Sequence, residues 1–153
     1  VLLSEISTYR LDTAKKCGIS VVNPKSKFLQ DAIFQTFGSD AADVIFECIG
    51  SPATIKEAVE IARKGSMIVV VGVVADLAPI NMGFVQDHEL TLIGSAMYQT
   101  GDYLSAIQLV EDEKIEFDAL ITHRVAFSKY PDAYRLIEEQ RDKAMKVMID
   151  MAK

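Results

Sequence analysis

The sequence predicts an α/β fold in which helices cover both faces of one parallel sheet. Several short runs are wholly or almost wholly apolar, such as 44–46, 67–71 and 90–93. They have the length of strands and lack the alternation of a half-exposed sheet. Helical patterns separate these runs, and such alternation is typical of βαβ units with right-handed crossovers. Glycine or proline follows most of the elements and marks where each of them ends.

Caps and breakers delimit the first three strands and the helices between them. Val1 to Leu3 is an apolar run, and Ser7 or Thr8 can cap a helix that reaches about Lys16, with Gly18 just past its end. The breakers of the next elements are Asn23–Pro24 after the strand 21–22, Gly38 after the helix 27–37, and Gly50 with Pro52 after the strand 44–46.

The remaining elements follow the same alternation of strands and helices up to about Glu113. We predict a helix at 53–63 stopped by Gly65, a strand at 67–71 ended by Gly72, a loop at 77–83, a strand at 90–93 ended by Gly94, and a helix at 102–111. After about Glu113 we predict a strand at 120–125, a helix at 131–139 and a final strand at 145–149. A boundary near Lys114 therefore divides the chain into 1–113 and 114–153.

Composition and charge exclude several functional classes. The 153 residues suit one domain. The net charge of -6, without clustered lysine and arginine, argues against nucleic-acid binding. Apolar runs are far shorter than the roughly 20 residues of a membrane span. Two cysteines, Cys17 and Cys48, form no disulfide framework, so we expect a cytoplasmic protein. The chain opens within an apolar run and without methionine, so we expect that it begins inside a fold.

Glu5 is a candidate ligand for a nucleotide. An acidic residue at the end of this strand accepts hydrogen bonds from the adenosine ribose in dinucleotide-binding domains, and its charge repels a 2′-phosphate. Arg10 lies in the first turn of the next helix, where a guanidinium can stack on adenine. Taken alone, each residue is better explained as a solvated charge.

Three glycines, Gly50, Gly72 and Gly94, each follow a predicted strand. Ligands of open parallel sheets lie beyond the carboxyl ends of the strands, where a glycine allows close approach of the backbone. The alternative is that these glycines only end strands. The spacing does not decide between the two interpretations.

Five segments in order resemble one known family: Ser4-Glu5-Ile6-Ser7 with Arg10, Asp43 to Gly50, Val70 to Val73, Glu89 to Ser95, and Leu120 to Arg124. Together they resemble the coenzyme-binding half of the zinc-type medium-chain dehydrogenase/reductase superfamily, within the alcohol, sorbitol and 2,3-butanediol dehydrogenase group. The resemblance implies a Rossmann-type, doubly wound parallel sheet that lacks its first strand and glycine-rich loop. In the expected order 3-2-1-4-5-6, the missing strand would lie between 1–6 and 44–48, and a gap or a foreign strand would separate Leu3 from Phe46.

The resemblance also implies residue roles. Glu5 would bind the adenosine ribose and Arg10 would lie by the adenine. Further coenzyme-binding residues would be Cys48, Ile49 and Gly50 at the adenine and ribose, Val71, Gly72 and Val73 together with Ser95, Ala96 and Met97 at the nicotinamide carboxamide, and Lys146 at the pyrophosphate. No catalytic or metal-binding residue is assigned, because the catalytic zinc is implied only for an N-terminal domain that is missing from this chain. His88 would be a surface residue, His123 a structural one, and Cys48 a small buried residue without a basic neighbour in sequence.

The implied activity is hydride transfer between NAD and a secondary alcohol, diol or polyol, with the corresponding ketone as product. Many polyol dehydrogenases have arginine where Met97 stands, which favours a diol or simple alcohol. The alternatives are a zinc-independent quinone or enoyl reductase of the same superfamily and a nucleotide-sensing domain without activity. The resemblance implies a homodimer or homotetramer, with the 78–81 loop and the strand through Leu92 at a buried edge.

Overall fold

The computed structural model describes residues 1–115 and 117–152. Every strand pair in these ranges is parallel, and helices connect successive strands, which confirms the predicted α/β class. The chain divides into two compact units. The first consists of Val1–Leu29 and the chain from Gln99 onward, and the second of Gln30–Tyr98. In the described ranges, no helix is both long and apolar enough to cross a membrane.

The first unit opens with a βαβ motif. Its elements are β1 (Leu2–Ser4), α1 (Thr8–Lys16) and β2 (Ser20–Val22). The two strands pair in parallel, with Leu3 opposite Val21. The helix starts where the sequence predicts, because the Ser7 hydroxyl accepts a hydrogen bond from the Arg10 amide at 3.4 Å and caps it. Leu11 and Ala14 bury the inner face of α1.

A second βαβ motif completes the first unit after the exposed helix α5 (Thr100–Glu111). Its elements are β6 (Ile121–Ala126), α6 (Tyr130–Gln140) and β7 (Lys146–Asp150). The two strands are parallel and interrupted by a bulge between Ile121 and His123. Ala133 on α6 and Ala144 before β7 are buried. These elements match the predicted strand, helix and strand within one or two residues.

The second unit holds a three-stranded parallel sheet. Its elements are α2 (Leu29–Phe37), β3 (Val44–Glu47), α3 (Pro52–Ile61), β4 (Met67–Val70), α4 (Met82–Asp87) and β5 (Thr91–Gly94), and the strand order is β3-β4-β5. The ends of the strands are in register, because Glu47 lies opposite Val70 and Val70 opposite Gly94. The last residues of all three strands therefore share one edge of the sheet.

The core of the second unit lies between α3 and the sheet. Val59 and Ile68 are each only 1% exposed, and Ala58, Ala62 and Leu90 complete the buried cluster. Burying one such valine or isoleucine stabilises the fold by about 1.5–3 kcal/mol. This packing fixes β3 and β4, and with them the loops that follow their carboxyl ends.

Two predicted boundaries differ from the structure for identifiable reasons. The helix predicted from residue 27 begins at Leu29, because the Asn23 carbonyl and side chain accept hydrogen bonds from the amides of Lys25, Ser26 and Lys27 in a turn. The predicted loop 77–83 ends early, because Asn81 caps α4 by accepting a hydrogen bond from the Phe84 amide at 3.3 Å.

The strand pairs agree with two blocks of the expected order. β1 pairs with β2, and β3-β4-β5 form their own sheet, so Leu3 and Phe46 belong to different sheets of the described chain. The gap or foreign strand between them stays a prediction. The boundary near Lys114 also stays a prediction. It was predicted as the point where the chain returns to a catalytic domain, whereas the two compact units describe only contacts within this chain.

Candidate functional site

The carboxyl end of β1 presents the carboxylate of Glu5. Its Oε1 accepts hydrogen bonds from the amides of Ile6 at 2.7 Å and Ser7 at 2.9 Å. Its Oε2 lies 3.5 Å from a guanidinium nitrogen of Arg10, and the side chain is 21% exposed. One oxygen is thus held by the backbone, while the other makes a single long contact within the described part of the chain. A carboxylate oxygen in this state keeps lone pairs for a hydroxyl donor.

Arg10 and Lys146 line one open concavity of about 220 Å³ in the first unit, together with Leu120 and Met145. The family resemblance assigned both cations to the coenzyme, and the structure brings them together although they lie near opposite ends of the chain. Since Glu5 contacts Arg10, the three predicted charged residues form one charge cluster, which we define as Glu5, Arg10 and Lys146.

The position of Lys146 depends on the bulge of β6. The Lys146 amide donates to the Leu120 carbonyl at 3.1 Å. The Thr122 hydroxyl accepts from the Met145 amide at 3.1 Å and donates to the Lys146 carbonyl at 3.2 Å. A side chain therefore supplies hydrogen bonds where the bulge interrupts the regular ladder.

The other predicted coenzyme residues all lie beyond the carboxyl ends of β3, β4 and β5. They form three strand-end segments, 48–50, 71–73 and 95–97. Hydrogen bonds connect two of the segments, 71–73 and 95–97, to the neighbouring strand. The amides of Val71 and Gly72 donate to the Glu47 carbonyl, and the Ser95 amide donates to the Val70 carbonyl at 2.9 Å. The structure thus gathers nine of the predicted residues at one sheet edge, as the parallel register requires.

Two of the strand-end segments are in direct backbone contact. Gly50 has a φ of +78°, and a Cβ there would lie 2.8 Å from the backbone nitrogen of Val73. A Cβ on Gly72 would lie 2.7 Å from the Gly50 Cα. Neither position has room for a side chain, so these glycines do more than end strands. Gly94 differs, because no atom lies within 4 Å of a Cβ added there.

The rim of the strand-end segments is apolar and open. Ile49 is 66% exposed, and Val73 and Met97 are each 89% exposed. Met97 also has a φ of +64°, which is uncommon for a residue with a side chain. Exposed apolar side chains gathered at one sheet edge are typical of a surface that a partly apolar ligand or another protein element covers.

Cys48 has no features of a nucleophile. The residue was expected to be buried, but it is exposed, because it follows the last residue of β3. Partial burial of the thiol, and secondly the negative charge of Glu47, still raise its pKa above the usual value. The sulfur lies 3.8 Å from the Phe46 carbonyl. Since the thiolate is the reactive form, a raised pKa suppresses reactivity.

The histidines are placed for structural contacts. His88 was predicted to lie on the surface, but its ring is partly buried, edge-on to Phe84, with Nδ1 3.4 Å from the Ala62 carbonyl. His123 Nδ1 lies 3.0 Å from the Thr122 hydroxyl. Within residues 1–115 and 117–152, no three His, Cys, Asp or Glu side chains lie close enough to hold a metal ion.

Sequence reasoning missed Glu47. This last residue of β3 is 5% exposed, and its carboxylate accepts hydrogen bonds from the amides of Ile49 and Gly50, each at 3.0 Å. A charged residue directly after three apolar strand residues is a signal that could have been used. It was overlooked because a strand-end charge is usually solvated.

A known protein family matches most of this chain. The model of the zinc-binding dehydrogenase family matches residues 1–112. The chain belongs to the zinc-binding dehydrogenase family. This confirms the resemblance drawn from the five sequence segments.

Two curated relatives and one solved structure illustrate the membership of this dehydrogenase family. Sorbitol dehydrogenase 1 of Saccharomyces cerevisiae is 31% identical over 88% of this chain and 40% of its own length. (R,R)-butanediol dehydrogenase of Neisseria gonorrhoeae is 24% identical over 98% of this chain and 43% of its own length. A short chain alcohol dehydrogenase from Escherichia coli CFT073, solved with NADH, is 24% identical with a TM-score of 0.87, and the match covers 99% of this chain and 44% of that one. The chain thus spans about two fifths of the length of these proteins.

Proposed function

We propose that this chain is the coenzyme-binding portion of an NAD-dependent oxidoreductase that transfers hydride between NAD and a secondary alcohol, diol or polyol. Membership of the zinc-binding dehydrogenase family supports this function. The relatives, which include a sorbitol dehydrogenase and a butanediol dehydrogenase, support the substrate class. The proposal concerns the full-length protein, and this chain supplies the binding and orientation of the coenzyme.

The observation that carries the proposal is the carboxylate of Glu5 at the end of β1. Two backbone amides hold its Oε1, which leaves Oε2 oriented but weakly engaged. A ribose diol donates two hydroxyl groups and fits such an acceptor, whereas a 2′-phosphate would face a negative charge. We therefore propose that the coenzyme is NAD rather than NADP.

The cations of the charge cluster fit the remaining polar part of the coenzyme. Arg10 and Lys146 line the same concavity and belong to the unit that carries Glu5. A guanidinium can stack on adenine, and an ammonium attracts phosphate oxygens. We assign the adenine to Arg10 and the pyrophosphate to Lys146.

Two strand-end segments of the second unit, 71–73 and 95–97, fit the nicotinamide half of the coenzyme. The segments 71–73 and 95–97 offer backbone groups and exposed apolar side chains at one sheet edge. Backbone donors and acceptors suit the carboxamide, and apolar side chains suit the ring faces. The segment 48–50 would line the ribose and adenine pocket.

When bound, NAD supplies the hydride acceptor, and the protein residues orient it. We assign no proton transfer and no catalytic residue to this chain. The residues that the structure describes do not fit a zinc ion, since no three possible ligands converge among them. The contribution of this chain is therefore the binding and orientation of the coenzyme.

The proposed function is tested by titrating the full-length protein with NADH and assaying it with a panel of alcohols, diols and polyols. We expect saturable NADH binding and NAD-dependent oxidation of at least one secondary alcohol. Oxidation of none, with reduction of quinones or enoyl substrates, would favour the zinc-independent reductase. Coenzyme binding without turnover of any substrate would favour a nucleotide sensor.

We further propose a homodimer or homotetramer assembled through the edge strand β5. All four residues of β5 are exposed, including Leu92 at 37% and Ile93 at 41%, and β5 is the last strand of its sheet. An exposed apolar edge offers unpaired backbone groups to a second strand. Light scattering that gave a monomer at tens of micromolar, on the order of the concentration at which a standard-size interface persists, would exclude this assembly.

We also propose that the protein works in the reducing cytoplasm. Cys17 and Cys48 are both free and exposed in the described structure. Exposed thiols without a disulfide are typical of reducing compartments. Fractionation of cells that express a tagged full-length protein would test this location.

A further inference from the structure

Glu47 is a buried charge to which the proposed function assigns no role. It is the last residue of β3, is 5% exposed, and lies next to the strand-end segments. Burying a carboxylate costs free energy unless hydrogen bonds compensate. An apolar residue would fill the position at lower cost, so the contacts of Glu47 indicate what the charge does.

The side chain of Glu47 holds the first strand-end segment. Its Oε1 accepts hydrogen bonds from the amides of Ile49 and Gly50, each at 3.0 Å, and from the Thr54 hydroxyl at 2.8 Å. Its Oε2 also lies 3.0 Å from the Gly50 nitrogen. Both oxygens therefore act as acceptors, which a carboxylate allows and a carboxamide does not.

The backbone of the same residue holds the second strand-end segment. The Glu47 carbonyl accepts hydrogen bonds from the amides of Val71 at 2.8 Å and Gly72 at 2.9 Å. One residue thus fixes 48–50 through its side chain and 71–73 through its main chain. The backbone contact between Gly50 and Val73 then leaves little freedom for either segment to move without the other.

We propose that Glu47 is a positioning residue that sets the relative placement of the segments 48–50 and 71–73 for the coenzyme. The proposal rests on the proposed function, because these segments are assigned there to NAD. Glu47 acts through the amides of Ile49, Gly50, Val71 and Gly72 and does not itself contact the coenzyme.

The test compares Glu47→Gln with a matched control, Ser66→Ala, in the full-length protein. Glutamine preserves size but places an NH2 donor against the Gly50 amide. Ser66 is 0% exposed, and its hydroxyl donates to the Ala42 carbonyl at 2.8 Å, at the amino end of β4. Both changes disturb one buried polar group of the same sheet, at opposite ends. Hydrogen exchange by mass spectrometry and the Kd for NADH are measured for each.

We expect Glu47→Gln to accelerate amide exchange about tenfold or more in peptides covering both 48–54 and 71–76, and to raise the Kd for NADH about tenfold, equivalent to the loss of one strong hydrogen bond. Ser66→Ala should leave both segments and the Kd near the wild-type values. Acceleration confined to 48–54, or equal effects of Ser66→Ala, would overturn the proposal.

A second variant keeps the proposal testable if Glu47→Gln does not fold. Thr54→Val removes one donor to Glu47 Oε1 and leaves the carboxylate in place. It should accelerate exchange in both segments by a smaller factor, and unchanged exchange in 71–76 would overturn the proposal. If the wild-type protein bound no NADH, the proposed function would fail. Exchange in the two segments would still decide whether Glu47 fixes them together.

Discussion

The two regions assigned to the coenzyme use different parts of the polypeptide. In the first unit, side-chain charges form the charge cluster of Glu5, Arg10 and Lys146. In the second unit, the strand-end segments offer backbone groups, glycines and exposed apolar side chains. The first region suits the ribose and phosphates, which are polar, and the second suits the planar nicotinamide ring.

This difference determines how each region should respond to substitution. Charges exposed to solvent contribute modest energies that salt screens. Backbone packed without room for a Cβ tolerates almost no change, because native packing is dense and does not yield easily. We therefore expect glycine substitutions in the second unit to act mainly on stability, and charge substitutions in the first unit to act mainly on affinity and coenzyme choice.

The largest effect is expected for Gly72→Ala. A Cβ there would lie 2.7 Å from the Gly50 Cα, and both groups belong to backbone that cannot rotate away. Overpacking of this kind costs about 1–3 kcal/mol and occasionally more, so we expect a loss of about 3 kcal/mol in the free energy of unfolding. Urea denaturation of the full-length protein measures it.

Gly94→Ala is the matched control for Gly72→Ala. It adds the same methyl group at the end of the neighbouring strand, but no atom lies within 4 Å of the new Cβ. We expect a change below about 1 kcal/mol, within the range of uncrowded glycine substitutions. Equal losses in the two variants would show that the contact between Gly50 and Gly72 has no special importance.

The sequence predicted where Gly50 and Gly72 lie in the fold but not that their backbones are in contact. Gly50 and Gly72 follow apolar runs, so their place at the sheet edge could be predicted from the parallel pattern. Whether they only end strands was left open. The answer depends on the register of β3 against β4, which brings Glu47 opposite Val70, and no local pattern encodes that register.

The next effect concerns coenzyme choice in the first unit. Glu5→Gln keeps an acceptor for the amides of Ile6 and Ser7 but removes the negative charge that would repel a 2′-phosphate. We expect the ratio of the Kd for NADPH to the Kd for NADH to fall about tenfold, which corresponds to about 1.4 kcal/mol.

Glu5→Ala should produce the same fall in the Kd ratio and also destabilise the entry to α1, because the Ile6 and Ser7 amides lose their acceptor. Fluorescence titration with both coenzymes gives the ratio, and denaturation gives the stability. A wild-type protein that bound NADPH more tightly than NADH would contradict the assignment of Glu5.

A smaller effect is expected for Lys146→Met, which keeps the aliphatic packing and removes the charge. Lys146 is exposed at the start of β7 and lines the concavity with Arg10. We expect the Kd for NADH to rise about fivefold at low salt, about 1 kcal/mol for an exposed charge pair, and the difference to shrink as salt is added. Lys16→Met, in the last turn of α1, is the control and should change little. A salt-independent difference would argue against a phosphate contact.

The charge cluster could be predicted only in part from the sequence. Glu5 and Arg10 are five residues apart at a strand-to-helix turn, so their proximity could be predicted from local structure. Lys146 was placed only by family resemblance, since it lies near the other end of the chain from Arg10. Its position depends on the Thr122 hydroxyl and on the bulge of β6, and neither leaves a clear mark in the sequence. Glu47 was missed for a related reason, because burial of a strand-end charge is a tertiary property.

The smallest effect is expected at the Cys48 thiol, and it probes the second unit without disturbing its packing. Burial, and secondly the charge of Glu47, raise the Cys48 pKa, so a smaller fraction of the thiol is ionised at any given pH. Alkylation by iodoacetamide at mildly alkaline pH should therefore be slower than that of N-acetylcysteine. When the alkylation rate is plotted against pH, its midpoint should lie above that of the free thiol.

Glu47→Gln removes the charge but not the partial burial of the thiol, so it should lower the midpoint of the alkylation curve only in part. Loosening of the segment 48–50 would instead raise the alkylation rate reached at high pH. This distinguishes a change in structure from a change in charge. A midpoint unchanged by Glu47→Gln would show that burial alone sets the pKa, and a midpoint at or below that of N-acetylcysteine would contradict the environment described for Cys48.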